Sequence, residues 1–169
     1  LAKDVDLNEI AERTPGFSGA DIENLANEAA ILAARRNKKA VQQEDFLESI
    51  IKVMLGPERK SHLLDEQEKE IAAYHESGHA LLSSLMPGSE IIRKVSIVSR
   101  GLSAGYTFAT PVKEKKLVNQ EQLQGTLVAL LGGYVSEKIK FGQVSTGASN
   151  DLQRVTALAR KMVTEYGMS

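Results

Sequence analysis

Apolar residues recur every three to four positions along most of the chain, a spacing typical of amphipathic helices. In the first third, helix-starting and helix-breaking residues divide this pattern into three segments. The signals are the capping pairs Asp6 with Glu9 and Ser18 with Asp21, the breakers at 14–16 and at Gly56 and Pro57, and the apolar spacing of 43–54. Three helices are therefore predicted before about residue 60.

The remainder of the chain mixes two periodicities. A helix should run from about Glu66 to Met86, with Asp65 as its cap. The alternating segments IRKVSIVS and GYTFAT then flank the turn-prone RGLSAG, as expected of two strands. Two more helices are predicted, at about 120–140 and 151–166.

Between residues 56 and 65 the chain is polar and follows neither periodicity, so we place a domain boundary near residue 60. The predicted fold class is mainly α with a small β-sheet. Residues 1–60 should form a helical subdomain. Residues 61–169 should form a mostly helical domain that contains a short β-hairpin or sheet.

Composition restricts the partners and the chemistry. The 21 basic and 22 acidic side chains give a net charge of -1, so no overall field draws the chain to nucleic acid. The basic run at 35–39 is interpreted as a solvated helix end, and no nucleic-acid partner is predicted. Because the chain has no cysteine, any metal must be bound by His, Asp or Glu.

The chain lacks a run of about 18 apolar residues and a basic-then-apolar leader pattern. It begins with Leu1 and ends just after a helical pattern. We therefore expect a piece of a longer protein, with any membrane anchor in segments that lie elsewhere.

The stretch AAYHESGHALL holds two of the three histidines, His75 and His79, within an apolar run. Residues four apart lie on one face of a helix, about 6 Å apart along its axis, so both imidazoles could reach one zinc ion. Gly78 lies between them and predicts a close approach to the helix backbone. His62, in the polar linker, is interpreted as an ordinary surface residue.

Glu76 lies ~100° around the helix from His75, so it should flank a bound metal without binding it. From there it could take a proton from the attacking water, as a general base does. The alternative is a helix with two semi-buried, hydrogen-bonded histidines and a solvated glutamate.

A catalytic zinc generally has three protein ligands, so an acid must supply the third. Glu137 lies in LLGGYVSEKIKFG, where Gly132 and Gly133 permit close packing. Asp151 follows TGASN at the start of the last predicted helix, where the helix dipole favours an acid in any case. The pattern leaves both candidates open.

GFSGADIENLANEAAILAAR, YHESGHALL, LLGGYVSEKIKFG and VSTGASNDLQRVTALARKMVTEYGMS together resemble the FtsH family of membrane-anchored AAA metalloproteases. The resemblance spans nearly all of the chain, although Ser77 differs from the alanine usual in that motif. It implies that Asp151 is the third ligand of one zinc per chain, that Glu76 is the catalytic base and that Glu137 orients a ligand histidine.

The resemblance also implies that 1–60 is the helical lid of an AAA ATPase, with Gly19 and Ala20 near bound nucleotide, and that 61–169 is a zincin-like protease domain. ATP and Mg²⁺ would act in the intact protein. The chain has no GxxxxGK[ST] phosphate loop, so we do not expect it to hydrolyse ATP by itself.

The implied function is that of a zinc endopeptidase within an ATP-dependent protease that degrades unfolded or membrane proteins. Such a protein would be a hexamer in the cell inner membrane, with its protease facing the cytoplasm, or else in an organelle inner membrane. An extended substrate could add to GYTFAT as a strand. The alternatives are a non-catalytic assembly or substrate-capture module and a purely structural zinc site.

Overall fold

The computed structural model describes residues 1–58, 64–87, 90–100, 104–111 and 117–169. The chain forms two compact units, Leu1–Glu58 and Arg59–Ser169. The predicted boundary near residue 60, His62 and positions 101–103 of the predicted turn lie outside the described residues.

Three helices form the first unit: α1 (Leu7–Glu12), α2 (Gly19–Arg35) and α3 (Gln43–Leu55). Asp6 caps α1 by accepting bonds from the backbone N–H groups of Asn8 and Glu9, without a reciprocal bond from Glu9. Ser18 and Asp21 form the full capping box at α2. α2 and α3 pack together around a core made of Leu25, Ala29, Ala33, Phe46 and Ile50.

The basic run after α2 is not simply a solvated helix end, which corrects that interpretation. Arg36 Nη1 lies 3.1 Å and Lys38 Nζ 2.9 Å from Asp45 Oδ1 on α3. The Asp45 side chain is fully buried. These ion pairs hold the connection between α2 and α3 against the start of α3.

Within its described residues, the second unit contains four helical segments and two strands. In chain order they are α4 (Glu66–Leu85), β1 (Glu90–Ser96), β2 (Tyr106–Pro111), α5 (Gln120–Phe141), a 3₁₀ turn (Thr146–Ala148) and α6 (Ser149–Thr164). This confirms the predicted fold class, mainly α with a small sheet. β1 begins two residues before the predicted strand segment and ends at Ser96, and the 3₁₀ turn was not predicted.

β1 and β2 form an antiparallel pair. Glu90 is opposite Pro111 and Ser96 is opposite Tyr106, with a bulge between Ile92 and Lys94. α4 packs against both strands and, over a larger contact, against α5. α4 therefore lies between the sheet and α5, and its side chains meet both.

Glycines bring α4 and α5 into backbone contact. A Cβ on Gly78 would lie 2.3 Å from the carbonyl oxygen of Gly132, and a Cβ on Gly132 would lie 2.5 Å from that of Gly78. Neither position can hold a larger residue without moving a helix. The close approach predicted at Gly78 is therefore present in the structure.

Leu85, the last residue of α4, is 65% exposed. Among the described residues, no helix is both long enough and apolar enough to cross a membrane.

Candidate metal centre

His75 and His79 meet on the face of α4 that packs on α5. Their Nε2 atoms lie 3.0 Å apart. His75 is 9% exposed, and the two rings are 4.7 Å apart between centroids. One turn of helix thus brings two imidazole nitrogens to a single point, as the spacing predicts.

The second nitrogen of each imidazole is held by α5. His79 Nδ1 lies 2.8 Å from the carbonyl oxygen of Ala129, which can only accept, so Nδ1 carries the hydrogen. His75 Nδ1 lies 2.6 Å from Glu137 Oε1. A carboxylate oxygen is likewise an acceptor, so Nδ1 of His75 also carries the hydrogen. In both rings Nε2 is consequently the atom available to bind a metal.

Asp151 supplies an oxygen at the same point. Its Oδ2 lies 3.2 Å from Nε2 of His75 and 3.2 Å from Nε2 of His79. The first turn of α6 carries this residue, and its Oδ1 faces Arg154 Nη1 at 3.9 Å. Of the two acids that the pattern left open, Asp151 is the one that joins both histidines.

The three donor atoms fit a small divalent metal. Ligand atoms around a tetrahedral zinc at ~2.0–2.1 Å lie roughly 3.3 Å from one another, close to the spacings found here. His75, His79 and Asp151 form a possible metal-binding group with ligand atoms within 4.8 Å of one another. Two imidazoles and a carboxylate are donors that zinc accepts.

Glu137 lies beside this group and is 1% exposed. While Oε1 contacts His75, Oε2 accepts a hydrogen bond of 2.6 Å from the backbone N–H of Ser145. Ser145 is the N-cap of the 3₁₀ turn that leads directly into α6. One carboxylate therefore connects His75 to the segment that positions Asp151.

Gly133 makes room for the His75 ring. A Cβ at this position would lie 2.4–2.5 Å from three atoms of the imidazole. The ring thus lies directly on the backbone of α5, and a side chain at 133 would displace it.

Glu76 is buried next to the histidines and contacts β2. Thr107 Oγ1 lies 2.7 Å from Glu76 Oε2 and 3.1 Å from the Glu76 carbonyl oxygen. Burial raises the pKa of Glu76, and the opposing effects of Thr107 and the two histidines only partly offset it. The solvated glutamate of the alternative interpretation is therefore wrong, because Glu76 is 8% exposed.

The acids and imidazoles also shift one another's pKa. Burial lowers the pKa of His75, but contacts with Asp151 and Glu137 outweigh it, so the pKa is raised overall. Burial raises the pKa of Asp151, but its contacts with both histidines hold that pKa well below its ordinary value. A charged carboxylate is thus favoured at the position where a cation would bind.

Gly19 and Ala20 are exposed residues in the first turn of α2, within the first unit. A Cβ on Gly19 would have no heavy atom within 4 Å.

The geometry agrees with comparisons to known proteins. The family model for peptidase family M41 matches residues 62–169, more than half of the chain, and the model for the AAA+ lid domain matches residues 4–48. The chain belongs to peptidase family M41. Its M41 match contains every residue of the metal centre described above.

Curated relatives match over the whole chain. The ATP-dependent zinc metalloprotease FtsH 1 of Sphaerobacter thermophilus is 53% identical over 169 residues, 100% of this chain and 26% of the relative. FtsH 4 of Synechocystis sp., with the same description, is 52% identical over 170 residues, 100% of this chain and 27% of the relative. This M41 chain spans about a quarter of the length of the curated relatives it matches.

Sequence reasoning missed two contacts of the site. Thr107 lies in the predicted strand GYTFAT, but a hydroxyl on a strand carries no motif of its own. The Ala129 carbonyl is a backbone group, which side-chain patterns do not reveal. The alternation of side chains along the strand could have predicted only which face of the sheet carries Thr107.

Proposed function

We propose that this chain is the zinc-dependent endopeptidase portion of an ATP-dependent protease that degrades unfolded or membrane proteins. The observation that carries the proposal is the convergence of His75, His79 and Asp151, with donor atoms 3.0 to 3.2 Å apart, beside the buried Glu76. Membership of a peptidase family supports hydrolysis of a peptide bond as the reaction.

His75, His79 and Asp151 would hold one zinc ion per chain. When bound, zinc polarises a scissile carbonyl and lowers the pKa of a coordinated water to about 7. The chain's own contribution is to hold the three ligands in position. Hydrogen bonds from α5 fix both imidazoles with Nε2 directed to the site.

Glu76 would act as the general base and then as the acid. Its Oε2 is held by Thr107, so we assign the proton transfer to Oε1. The carboxylate takes a proton from the attacking water and afterwards gives it to the nitrogen of the leaving amine. Burial raises the pKa of Glu76, which makes the carboxylate a stronger base.

Glu137 would orient His75 and the start of α6 together. Both of its oxygens are engaged, one by the imidazole and one by the backbone N–H of Ser145. It is therefore assigned as a positioning residue and not as a ligand.

Within the larger protein, residues 1–60 would be the AAA lid, with Gly19 and Ala20 near bound ATP and Mg²⁺, and residues 61–169 the protease domain. The AAA+ lid match and the names of the relatives support this division. We further propose a homo-oligomer, hexameric as in the family it resembles, anchored in the inner membrane with its protease facing the cytoplasm. Unfolded polypeptides would bind as an added strand beside β2.

The alternative of a non-catalytic capture or assembly module is less well supported. A scaffold has no need of a buried glutamate next to three convergent metal-binding side chains. The peptidase match favours the protease interpretation as well.

Replacing Glu76 by Gln tests the proposed reaction. The amide keeps the size of the side chain but cannot accept a proton from water, so peptide hydrolysis should fall about 10²–10⁴-fold while bound zinc is retained. The assay is cleavage of an unstructured fluorogenic peptide by zinc-loaded protein. The matched control is Glu66→Gln on the same helix, where the side chain is 92% exposed.

Equal rates for wild type and Glu76→Gln would refute the general-base role. Wild-type protein that binds zinc but leaves the peptide intact would instead favour a structural zinc site.

A further inference from the structure

We propose that Thr107 on β2 is a positioning residue that fixes the carboxylate of Glu76 for proton transfer, with the backbone at Gly105 as a wall behind it. The inference rests on the proposed function, because it assigns a role toward the base of that reaction. It makes the small sheet part of the catalytic machinery and not only a cover for α4.

The Thr107 hydroxyl contacts Glu76 at both ends of the glutamate. Its Oγ1 lies 2.7 Å from Oε2 at the tip of the side chain and 3.1 Å from the main-chain carbonyl oxygen. A carboxylate and a carbonyl only accept, so the threonine hydroxyl is the donor. Its hydrogen bond to the ionised group is the stronger type and restricts the flexible torsions of the glutamate.

The backbone at Gly105 limits the space available to the Glu76 side chain. A Cβ at 105 would lie 2.9 Å from Glu76 Cγ, 3.1 Å from Oε1 and 2.8 Å from the carbonyl oxygen of Ser96. The glutamate thus lies against bare backbone where β2 begins. The Thr107 hydroxyl on β2 and the missing side chain at Gly105, just before β2, together define where the carboxylate stands.

A fixed carboxylate matters more for rate than for stability. A base is effective only when its oxygen is within reach of the proton, and small displacements lower the rate strongly. Thr107 touches Glu76 but makes no described contact with His75, His79 or Asp151. Its loss should therefore affect turnover and leave metal binding intact.

Kinetics of three variants of the zinc-loaded protein test the inference. Thr107→Val keeps the shape but removes the hydroxyl, so kcat for an unstructured peptide should fall about 10–100-fold with KM and zinc content unchanged. Thr107→Ser keeps the hydroxyl and should retain kcat within about threefold. Thr110→Val is the matched control, because the Thr110 hydroxyl on the same strand bonds Arg93 Nε at 2.9 Å and not Glu76.

A second readout is independent of turnover. Crystal structures of the variants should show Glu76 in one rotamer in wild type and Thr107→Ser, and displaced or in several rotamers in Thr107→Val. If the valine variant does not fold, Thr107→Ala removes the same hydroxyl without adding a methyl group. That variant then takes its place in both measurements.

An unchanged kcat and rotamer in Thr107→Val would overturn the inference, as would equal losses in the valine and serine variants. If Glu76→Gln is inactive while Thr107→Val is fully active, the inference fails and the proposed function stands. If wild type itself does not cleave the peptide, the proposed function fails. The crystal structures still test the positioning of Glu76 in that case, and an unchanged Glu76 rotamer in Thr107→Val would overturn it.

Discussion

In each imidazole of the site, one nitrogen is held by a hydrogen bond, so the other nitrogen is the one available to bind a metal. The Ala129 carbonyl fixes the hydrogen of His79 on Nδ1, and Glu137 does the same for His75. Each Nε2 atom therefore directs its lone pair toward Asp151. Hydrogen bonds from a neighbouring helix thus orient both candidate metal-binding imidazoles.

Asp45 is a residue whose charge stabilises the first unit. Its side chain is fully buried and receives Arg36, Lys38 and the backbone N–H of Gln42. Burial raises its pKa, but these partners outweigh that effect, and the pKa lies below its ordinary value of 3.8. A lowered pKa means that the stabilisation is complete above 3.8 and is lost as the pH falls through the folded-state pKa.

Asp45→Asn should therefore lower the Tm of the first unit at about pH 7, by several degrees on the scale of one lost charged hydrogen bond. The deficit should shrink as the pH falls from 3.8 through the lower folded-state pKa, because folded wild-type Asp45 then becomes protonated as well. Calorimetry at both pH values checks this. Glu44→Gln, at a 66% exposed partner of Lys38, is the control and should have little effect. A deficit that is the same at both pH values would contradict the account.

The residues on α4 could be predicted because their relation is local. Helical spacing alone places His75, His79 and Glu76 relative to one another. Asp151 lies 72 residues beyond His79, and its position depends on how α5 and α6 pack, which spacing does not encode. Local pattern therefore left both Asp151 and Glu137 open as the third ligand, and the resemblance or the fold was needed to separate them.

At the scale of elements, the contact between α4 and α5 is the frame of the site. Gly78 and Gly132 let the backbones touch, and Gly133 receives the His75 ring. Glycine costs about 1 kcal/mol in a helix interior, so three such residues at one contact imply a packing requirement. The sequence predicted the contact but not which ring would fill it.

Gly133→Ala should push the His75 imidazole from its position. Because the new Cβ would lie within 2.5 Å of the ring, we expect a loss of about 1–3 kcal/mol in the free energy of unfolding and weaker zinc binding. Denaturant unfolding and zinc titration measure the two effects. Gly19→Ala, where a Cβ meets open space, is the matched control and should leave both unchanged or raise stability slightly. Full stability and zinc affinity in Gly133→Ala would show that the ring can move freely.

The helices were predictable because their start signals are chemical. Ser18 and Asp65, both predicted as caps, begin α2 and α4 with reciprocal side-chain bonds. The start of β1 was less predictable, because its register follows from pairing with β2 and a bulge. The ion pairs of the basic run were also missed, because their acidic partners belong to another helix.

At the scale of the whole molecule, the two units differ in the function that we propose for them. The lid match lies in the first unit, and the metal centre lies wholly in the second. All of the proposed chemistry therefore depends on one packed group of α4, α5, α6 and the sheet.

Metal stoichiometry tests the central claim most directly. Plasma mass spectrometry on untagged, folded protein should find about one zinc per chain in wild type and in Glu76→Gln, and a large loss in Asp151→Asn. The glutamine variant is the control, because it neutralises a carboxylate in the same site that is not a ligand. Zinc retained in full by Asp151→Asn, or no zinc in a folded wild-type chain, would contradict the site of His75, His79 and Asp151.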